Sequence, residues 1–373
     1  MPLEDLPGTL PIESHPLALS GDYYRALIHG QMRGWWPSLQ RGGLRLVSVP
    51  YGWGMELRNR LYERGWKRSE RASVAVVSIG NLTLGGTGKT PCVEYVARFY
   101  REQGLRVAIL SRGYGSQTGR NDEAFVLEEN LPDVPHLQGA DRVSLARVAV
   151  EELESELLIL DDGFQHRRLQ RDLDLVLVDA TNPWGPGYLF PRGLLREPVR
   201  SLSRAAVILL TRCDQAEESR CVQIEATIAK HAPNVPVVRT MHRPMVLRNS
   251  EQETARLETL KARPVAAFCG LGNPQAFRQS LVGLGANILD FRTFADHHAY
   301  TRTDVEELRG WAERQADGCL IMTTQKDLVK LRLTQLGGRT LWALRICLHV
   351  ERGQDTLHRR LVSVIRCPMG SGP

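Results

Sequence analysis

Short apolar runs rich in Val, Ile and Leu alternate along the chain with stretches whose apolar residues recur every three or four positions. Residues 74–80 (VAVVSIG), 106–110 (RVAIL), 156–162 (ELLILDD), 173–180 (LDLVLVDA) and 205–212 (AAVILLTR) read as strands. Between the first two lies a helical pattern at 89–104, and another lies at 142–155. Strands that are apolar throughout are buried on both faces, and the intervening helices supply the crossovers that parallel pairing requires. The pattern therefore predicts an α/β fold with a largely parallel sheet. It restarts with 265–272, 276–285, 287–294, 304–315 and 319–327, which predict a second, smaller α/β domain. The stretch around 242–263 is polar and shows no clear strand, so the boundary falls there. The expected organisation is a leader over 1–40, a helical region over 41–68, a first domain over 69–245 and a second over 246–373. No internal repeat is evident.

The 42–66 segment mixes aliphatic and aromatic residues with Arg45, Arg58, Arg60 and Arg64. Tyr51, Met55, Arg58 and Tyr62 share one helical spacing, with Trp53, Leu57 and Leu61 alongside. An apolar face flanked by arginines suits a helix lying in a lipid headgroup layer. It equally suits a helix packed on the domain, and Pro50, Gly52 and Gly54 weaken its front half.

Chemistry enters at 80–90 (GNLTLGGTGKT), after one strand and before one helix. Backbone N–H groups and a helix N-terminus hold a phosphate chain, and Gly85, Gly86 and Gly88 let the main chain approach it. Lys89 then reaches the β- and γ-phosphates, and the Thr90 hydroxyl suits Mg²⁺. The strict pattern has Gly where this chain has Thr83; Thr83 and Thr87 complete the expected loop. A Mg²⁺–nucleotide site also needs a carboxylate at a neighbouring strand end. Asp161 and Asp162 supply it, although Asp-Asp-Gly is also ordinary turn chemistry. The two motifs together predict a P-loop NTPase-like fold using ATP and Mg²⁺.

Composition narrows little further. The chain has 373 residues, 42% hydrophobic and 24% charged, with a formal charge of +6, as in ordinary globular proteins. Seven dispersed cysteines without a CxxC pair argue for reduced thiols. The acidic, Pro-broken start lacks a signal-peptide pattern, and no run suits a membrane span, so any membrane contact is expected to be peripheral.

With SIGNLTLGGTGKTP (78–91), LSRGYG (110–115), ILDDGFQHRRLQRDLDLVLVDA (159–180), FPRGLLREP (190–198), FCGLGNPQAF (268–277), FADHHAY (294–300) and TTQKD (323–327), the chain resembles the tetraacyldisaccharide 4'-kinases of lipid A synthesis. That resemblance spans roughly 41–366. It implies γ-phosphoryl transfer from ATP to the 4'-hydroxyl of an acylated glucosamine disaccharide 1-phosphate. The implied place is the cytoplasmic face of the inner membrane, with 42–66 as a peripheral membrane helix and no nucleic-acid partner. It also implies a second domain joined by a two-stranded linker that closes over the nucleotide. Lys89, Thr90, Asp161, Asp162, Gln165 and His166 fall in matching motifs. Asp122 corresponds to the family's proposed acceptor base and His297 to its partner, although the flanking residues differ (Asn121 and Ala124 around Asp122 and Glu123; Ala295 before Asp296). Arg142 corresponds to a basic residue suited to the transferring phosphoryl group, with a surface arginine as its plain alternative. Arg171, Arg196 and Lys326 are candidates for the acceptor's 1-phosphate or for structural ion pairs. His298 is expected in solvent, and GLGNP (270–274) reads as a turn because a third glycine is missing. Two alternatives remain: a nucleotide-gated GTPase acting on a protein partner, for which TRCD (211–214) lacks the Asn-Lys pair, and a nucleic-acid-dependent ATPase.

Overall fold

A computed structural model describes residues 21–113 and 122–366. Residues 1–20 of the leader expected over 1–40, the stretch 114–120, Asn121 and residues 367–373 lie outside the described residues. Helices α1 (Gly21–Ile28) and α2 (Trp35–Glu63) precede a first unit. This unit contains β1 (Ala75–Asn81), α3 (Lys89–Glu102), β2 (Val107–Ser111), α4 (Asp122–Asn130), β3 (His136–Gln138), α5 (Arg142–Glu151), β4 (Leu157–Asp161), β5 (Leu173–Asp179), β6 (Val207–Thr211) and α6 (Glu218–His231). Next come β7 (Val237–Arg248), β8 (Thr254–Ala255), β9 (Pro264–Cys269), α7 (Pro274–Gly283), β10 (Asn287–Thr293) and α8 (Arg302–Glu313). The chain continues through β11 (Leu320–Thr324), α9 (Gln325–Leu331), β12 (Gln335–Leu336), β13 (Arg339–Arg352) and α10 (Gln354–Arg366).

The thirteen strands among the described residues join one sheet, whose main path runs β10-β9-β11-β13-β7-β6-β5-β1-β4-β2-β3. Pairing is parallel except between β7 and β13 and at the short β8 and β12. Period-two alternation splits each strand between two cores. Leu157 and Ile159 of β4 face α3 and its Val93, Val96 and Tyr100, whereas Leu158 and Leu160 face Val143, Ala146 and Ala149 of α5. In the second unit Phe268 and Ile321 pack on Trp311 of α8, and Ala267 and Met322 pack on Phe277 and Leu281 of α7. Five of the cysteines are buried and free, as small core residues are.

Three expectations change. The polar 242–263 stretch is not strandless: β7 extends to Arg248 and pairs with β13 from Arg239 to Arg248, so two long strands knit the units into one sheet. Arg, His and Pro at 242–244 hide this strand because part of it borders a cleft rather than a dry core. The C-terminal residues do not all belong to the second unit. Leu357, Leu361 and Val364 of α10 enter the core of the first, and Tyr100 Oη donates to the Leu361 carbonyl at 3.0 Å. Finally, α2 starts at Trp35 and passes through Pro50 to Glu63, so the expected 41–68 limits shift toward the N-terminus.

Glu197, fully buried, fastens α2 to the first unit. It accepts from Asn59 Nδ2 at 2.7 Å and Arg204 Nη1 at 2.8 Å, with Arg58 Nη2 at 3.7 Å. Burial alone would raise its carboxyl, and the Arg204 bond and charge overrule that and lower it. Glu197→Ala orphans these partners and should cost about 3–5 kcal/mol, read as a lower melting temperature with proteolysis near the end of α2. An unchanged melting temperature would remove this fastening.

Candidate active site

The C-terminal ends of the parallel strands open on a cleft of about 1520 Å³ between the two units. Strand β1 leads into the glycine loop, and α3 begins at Lys89. Gly85 and Gly88 adopt φ of 116° and 89°, which residues with a Cβ avoid. A Cβ at Gly88 would also collide with the His242 imidazole. Asn81 Nδ2 braces the loop by donating to the Thr83 carbonyl at 2.8 Å and Thr87 Oγ1 at 2.9 Å. From β6, Thr211 Oγ1 donates to the Thr87 carbonyl at 3.0 Å, and Arg212 Nη2 donates to the Gly86 carbonyl at 2.9 Å. Gly85 through Thr90 line the cleft. Thr83 does not: it is buried and bridges to Leu195, so its place is behind the loop.

The twin acids are brought to this loop by strand register. Asp161 lies beside Ile79 in the β1–β4 pair, and Gly163 N donates to the Ile79 carbonyl at 3.0 Å. Any Cβ on Gly163 would strike Ser78 Oγ at 2.6 Å, so the Asp-Asp-Gly turn is pressed onto the loop strand. The two carboxylates differ. Asp162 meets Lys89 Nζ at 3.5 Å and accepts from Arg196 Nη1 at 2.7 and 2.9 Å. Burial opposes its charge, but Lys89 and Arg196 outweigh burial and lower its pKa. Asp161 is buried, and its Oδ1 has no hydrogen-bond partner among the described residues. Burial, then the nearby Glu123 charge, pushes its carboxyl up to about 7 against the pull of Lys89. A buried carboxylate oxygen without a partner among the described residues and a threonine hydroxyl, both bordering the cleft at the phosphate loop, are a donor set that suits Mg²⁺. The residues fit the ion.

Across the cleft, α4 presents Asp122 and Glu123 to the second unit. His297 Nδ1 lies 2.9 and 3.0 Å from the two Asp122 oxygens, and Lys330 Nζ lies at 3.2 Å. Lys326 Nζ donates to Glu123 Oε1 at 2.6 Å. Asp122 also accepts from the adjacent Glu123 N at 3.0 Å in the first turn of α4. Arg142 opens α5, is 6% exposed, and borders the cleft rather than the surface. Burial, with Arg112 nearby, lowers its pKa. Gln165 Nε2 donates to the Asn81 carbonyl at 3.0 Å. His166 borders the cleft with Nε2 buried and without a partner among the described residues; burial and Arg142 push its pKa down to about 4, so it is neutral.

Arg171 does not reach the cleft. Its guanidinium is used up on Asp174 at 2.7 Å and on the His166 and Phe164 carbonyls at 2.8 and 2.9 Å, where it braces the Phe164–His166 turn. His298 is not in open solvent either: it stacks on Phe294 and bonds Asp304 at 3.0 Å. GLGNP is the expected turn, with Asn273 capping α7. Arg212, Glu123, Lys330 and His242 were not singled out from the sequence. Arg212 directly follows the parallel strand β6, and the strand-end rule applied to every strand would have found it.

A model of the tetraacyldisaccharide-1-P 4'-kinase family (LpxK) matches residues 41–366. The chain belongs to this family. It is 40% identical over 339 residues to a tetraacyldisaccharide 4'-kinase of Anaeromyxobacter dehalogenans strain 2CP-C, covering 85% of this chain and 89% of that one. A tetraacyldisaccharide 4'-kinase of Desulfatibacillum aliphaticivorans is also 40% identical, over 336 residues, covering 83% and 89%. The crystal structure of LpxK from Aquifex aeolicus in complex with ATP superposes with a TM-score of 0.69 at 31% identity, covering 87% of this chain and 99% of that one. The chain is therefore a lipid A 4'-kinase of α/β, P-loop architecture, and its substrate is a disaccharide 1-phosphate of lipid A synthesis. The GTPase and nucleic-acid ATPase alternatives are not favoured.

Proposed function

We propose that ATP lies along Gly85–Thr90 and that the acceptor sugar enters between Asp122, His297 and the twin acids. The observation that carries this reading is the meeting of three groups in one cleft: a phosphate loop, an orphaned Asp161 oxygen and the Asp122–His297 pair. Thr90 and Asp161 would hold Mg²⁺, which supplies neutralisation of phosphate charge when bound. Asp162, already committed to Lys89 and Arg196, orients rather than ligates. The 4'-oxygen bonds to the γ-phosphorus as the bond to the bridging oxygen breaks and ADP leaves. Asp122 accepts the hydroxyl proton, and His297 holds its carboxylate in place. Lys89 and Arg142 face the charge on the transferring group.

The same reading sets the enzyme on a membrane. No helix among the described residues is long and apolar enough to cross one. Trp35, Leu39, Leu46, Trp53 and Leu57 of α2, each 60–77% exposed, recur at spacings of four and seven, which is one helical stripe. The face with Tyr51, Met55 and Arg58 turns the other way and borders the cleft. A helix with one apolar face in the headgroup layer and the other at the active site delivers a lipid headgroup without extracting its acyl chains. ATP supply places this surface on the cytoplasmic side of the inner membrane. Trp53→Glu combined with Leu46→Glu should reduce cosedimentation with anionic vesicles at least about fivefold and spare turnover of detergent-dispersed acceptor. Unchanged sedimentation would refute the docking face.

The direct test is purified enzyme with γ-labelled ATP, Mg²⁺ and acylated disaccharide 1-phosphate. Label is expected in the lipid; label only in free phosphate would refute the acceptor assignment.

A further inference from the structure

The end of α4 remote from Asp122 is buried and densely hydrogen-bonded by groups that no step above uses. Asn130, its last residue, is 7% exposed. Its Nδ2 donates to Glu94 Oε2 at 2.9 Å and to Gln325 Oε1 at 3.2 Å, and its Oδ1 accepts from Gln325 Nε2 at 3.0 Å. Its carbonyl accepts from Arg98 Nη2 at 2.8 Å. Glu94 sits one turn beyond Thr90, on the helix that the phosphate loop opens, and its Oε1 also takes Arg345 Nη2 of β13 at 3.0 Å. Gln325 begins α9 immediately before Lys326, and its Nε2 also donates to Glu129 Oε2 at 3.1 Å. Three bodies therefore meet at one buried amide pair: the phosphate-loop helix, α4 and the second unit.

The apolar face of α4, with Ala124 and Leu127, holds the helix on the first unit, but apolar packing is non-directional and does not define its axial setting. The charged contacts at the other end are made by a half-exposed imidazole and by Lys326 and Lys330, whose long flexible side chains can follow a small shift of the helix and so tolerate some sliding. Reciprocal buried amides do not, because a shift leaves desolvated donors and acceptors unpaired. We propose that Glu94, Asn130 and Gln325 form a latch that sets α4, so that Asp122 meets His297 when the second unit is docked on the phosphate-loop helix. They are positioning residues acting through Asp122, and the proposal rests on the acceptor-site reading above.

The test uses the full chain in the labelled-transfer assay. Asn130→Ala and Gln325→Ala should each lower kcat about tenfold with KM for ATP within about twofold, and the double variant should lose clearly less than the product of the two single losses, since both remove the Asn130–Gln325 contact. Exchanging the two amides, Asn130→Gln with Gln325→Asn, should recover most of the loss. In an Asp122→Asn background Asn130→Ala should have no further effect. Unchanged kcat, a raised KM with intact kcat, or an undiminished loss in the Asp122→Asn background would each overturn the latch. Asp122→Asn alone separates the two ideas: wild-type turnover there defeats the acceptor-site reading itself, and the latch with it. Melting temperatures are read alongside, and Gln325→Met, similar in volume without the amide, carries the test if Asn130→Ala does not fold.

Discussion

Lys89→Ala is expected to lower kcat by about 10²–10³ with little change in melting temperature. Phosphoryl transfer spreads charge over the γ-oxygens, and catalysis comes almost wholly from groups preset to meet it. Lys89 starts α3, its side chain is 11% exposed, and its Nζ lies 3.5 Å from Asp162. Its loss does not strand that carboxylate, because Arg196 still donates to both oxygens. The fold should therefore survive while turnover falls. Steady-state kinetics with differential scanning fluorimetry checks both halves. Turnover within a fewfold of wild type would take the phosphate loop out of the mechanism.

Asp122→Asn should cost about 10²–10⁴ in kcat, with KM for ATP nearly constant, since the phosphate loop proposed to hold the nucleotide forms the other wall. His297→Ala should add little to it, because the two act as one unit. The pair also has a pH signature. Burial alone would raise the Asp122 carboxyl, but the His297 hydrogen bond and the Lys326 and Lys330 charges hold it well below the usual carboxylate range. The Asp122 hydrogen bond raises His297 despite partial burial. Stabilisation through Asp122 is present above its unfolded value, about pH 4, and is lost as pH falls through the lower folded value. Stabilisation through His297 is full below about pH 6.5 and is lost as pH rises through the raised folded value. Both are charged between about pH 4 and 6.5. The melting difference between wild type and His297→Ala should be largest there and shrink toward alkaline pH. A difference that grows with pH would contradict the pairing.

Local sequence already determined much of this molecule. Strands such as Leu157–Asp161 are apolar at every position before the acid, and the glycine loop requires φ values that few residues adopt, so strand, loop and helix were legible from neighbours in the chain. The parallel sheet and the approach of Asp161 to Lys89 follow from the same local patterns, because parallel strands end on one edge. Long-range contacts decided the rest. β7 carries Arg, His and Pro where a strand is not expected, and only its pairing with β13 makes it one. Arg171 and Arg142 look alike as arginines flanking acidic motifs, yet one is bound into a turn and the other borders the cleft. The meeting of Asp122 with His297, 175 positions apart, depends on where α4 is held between two units. A side chain's role in such a place is set by which partners the fold brings within hydrogen-bond reach, and one-dimensional spacing does not carry that information.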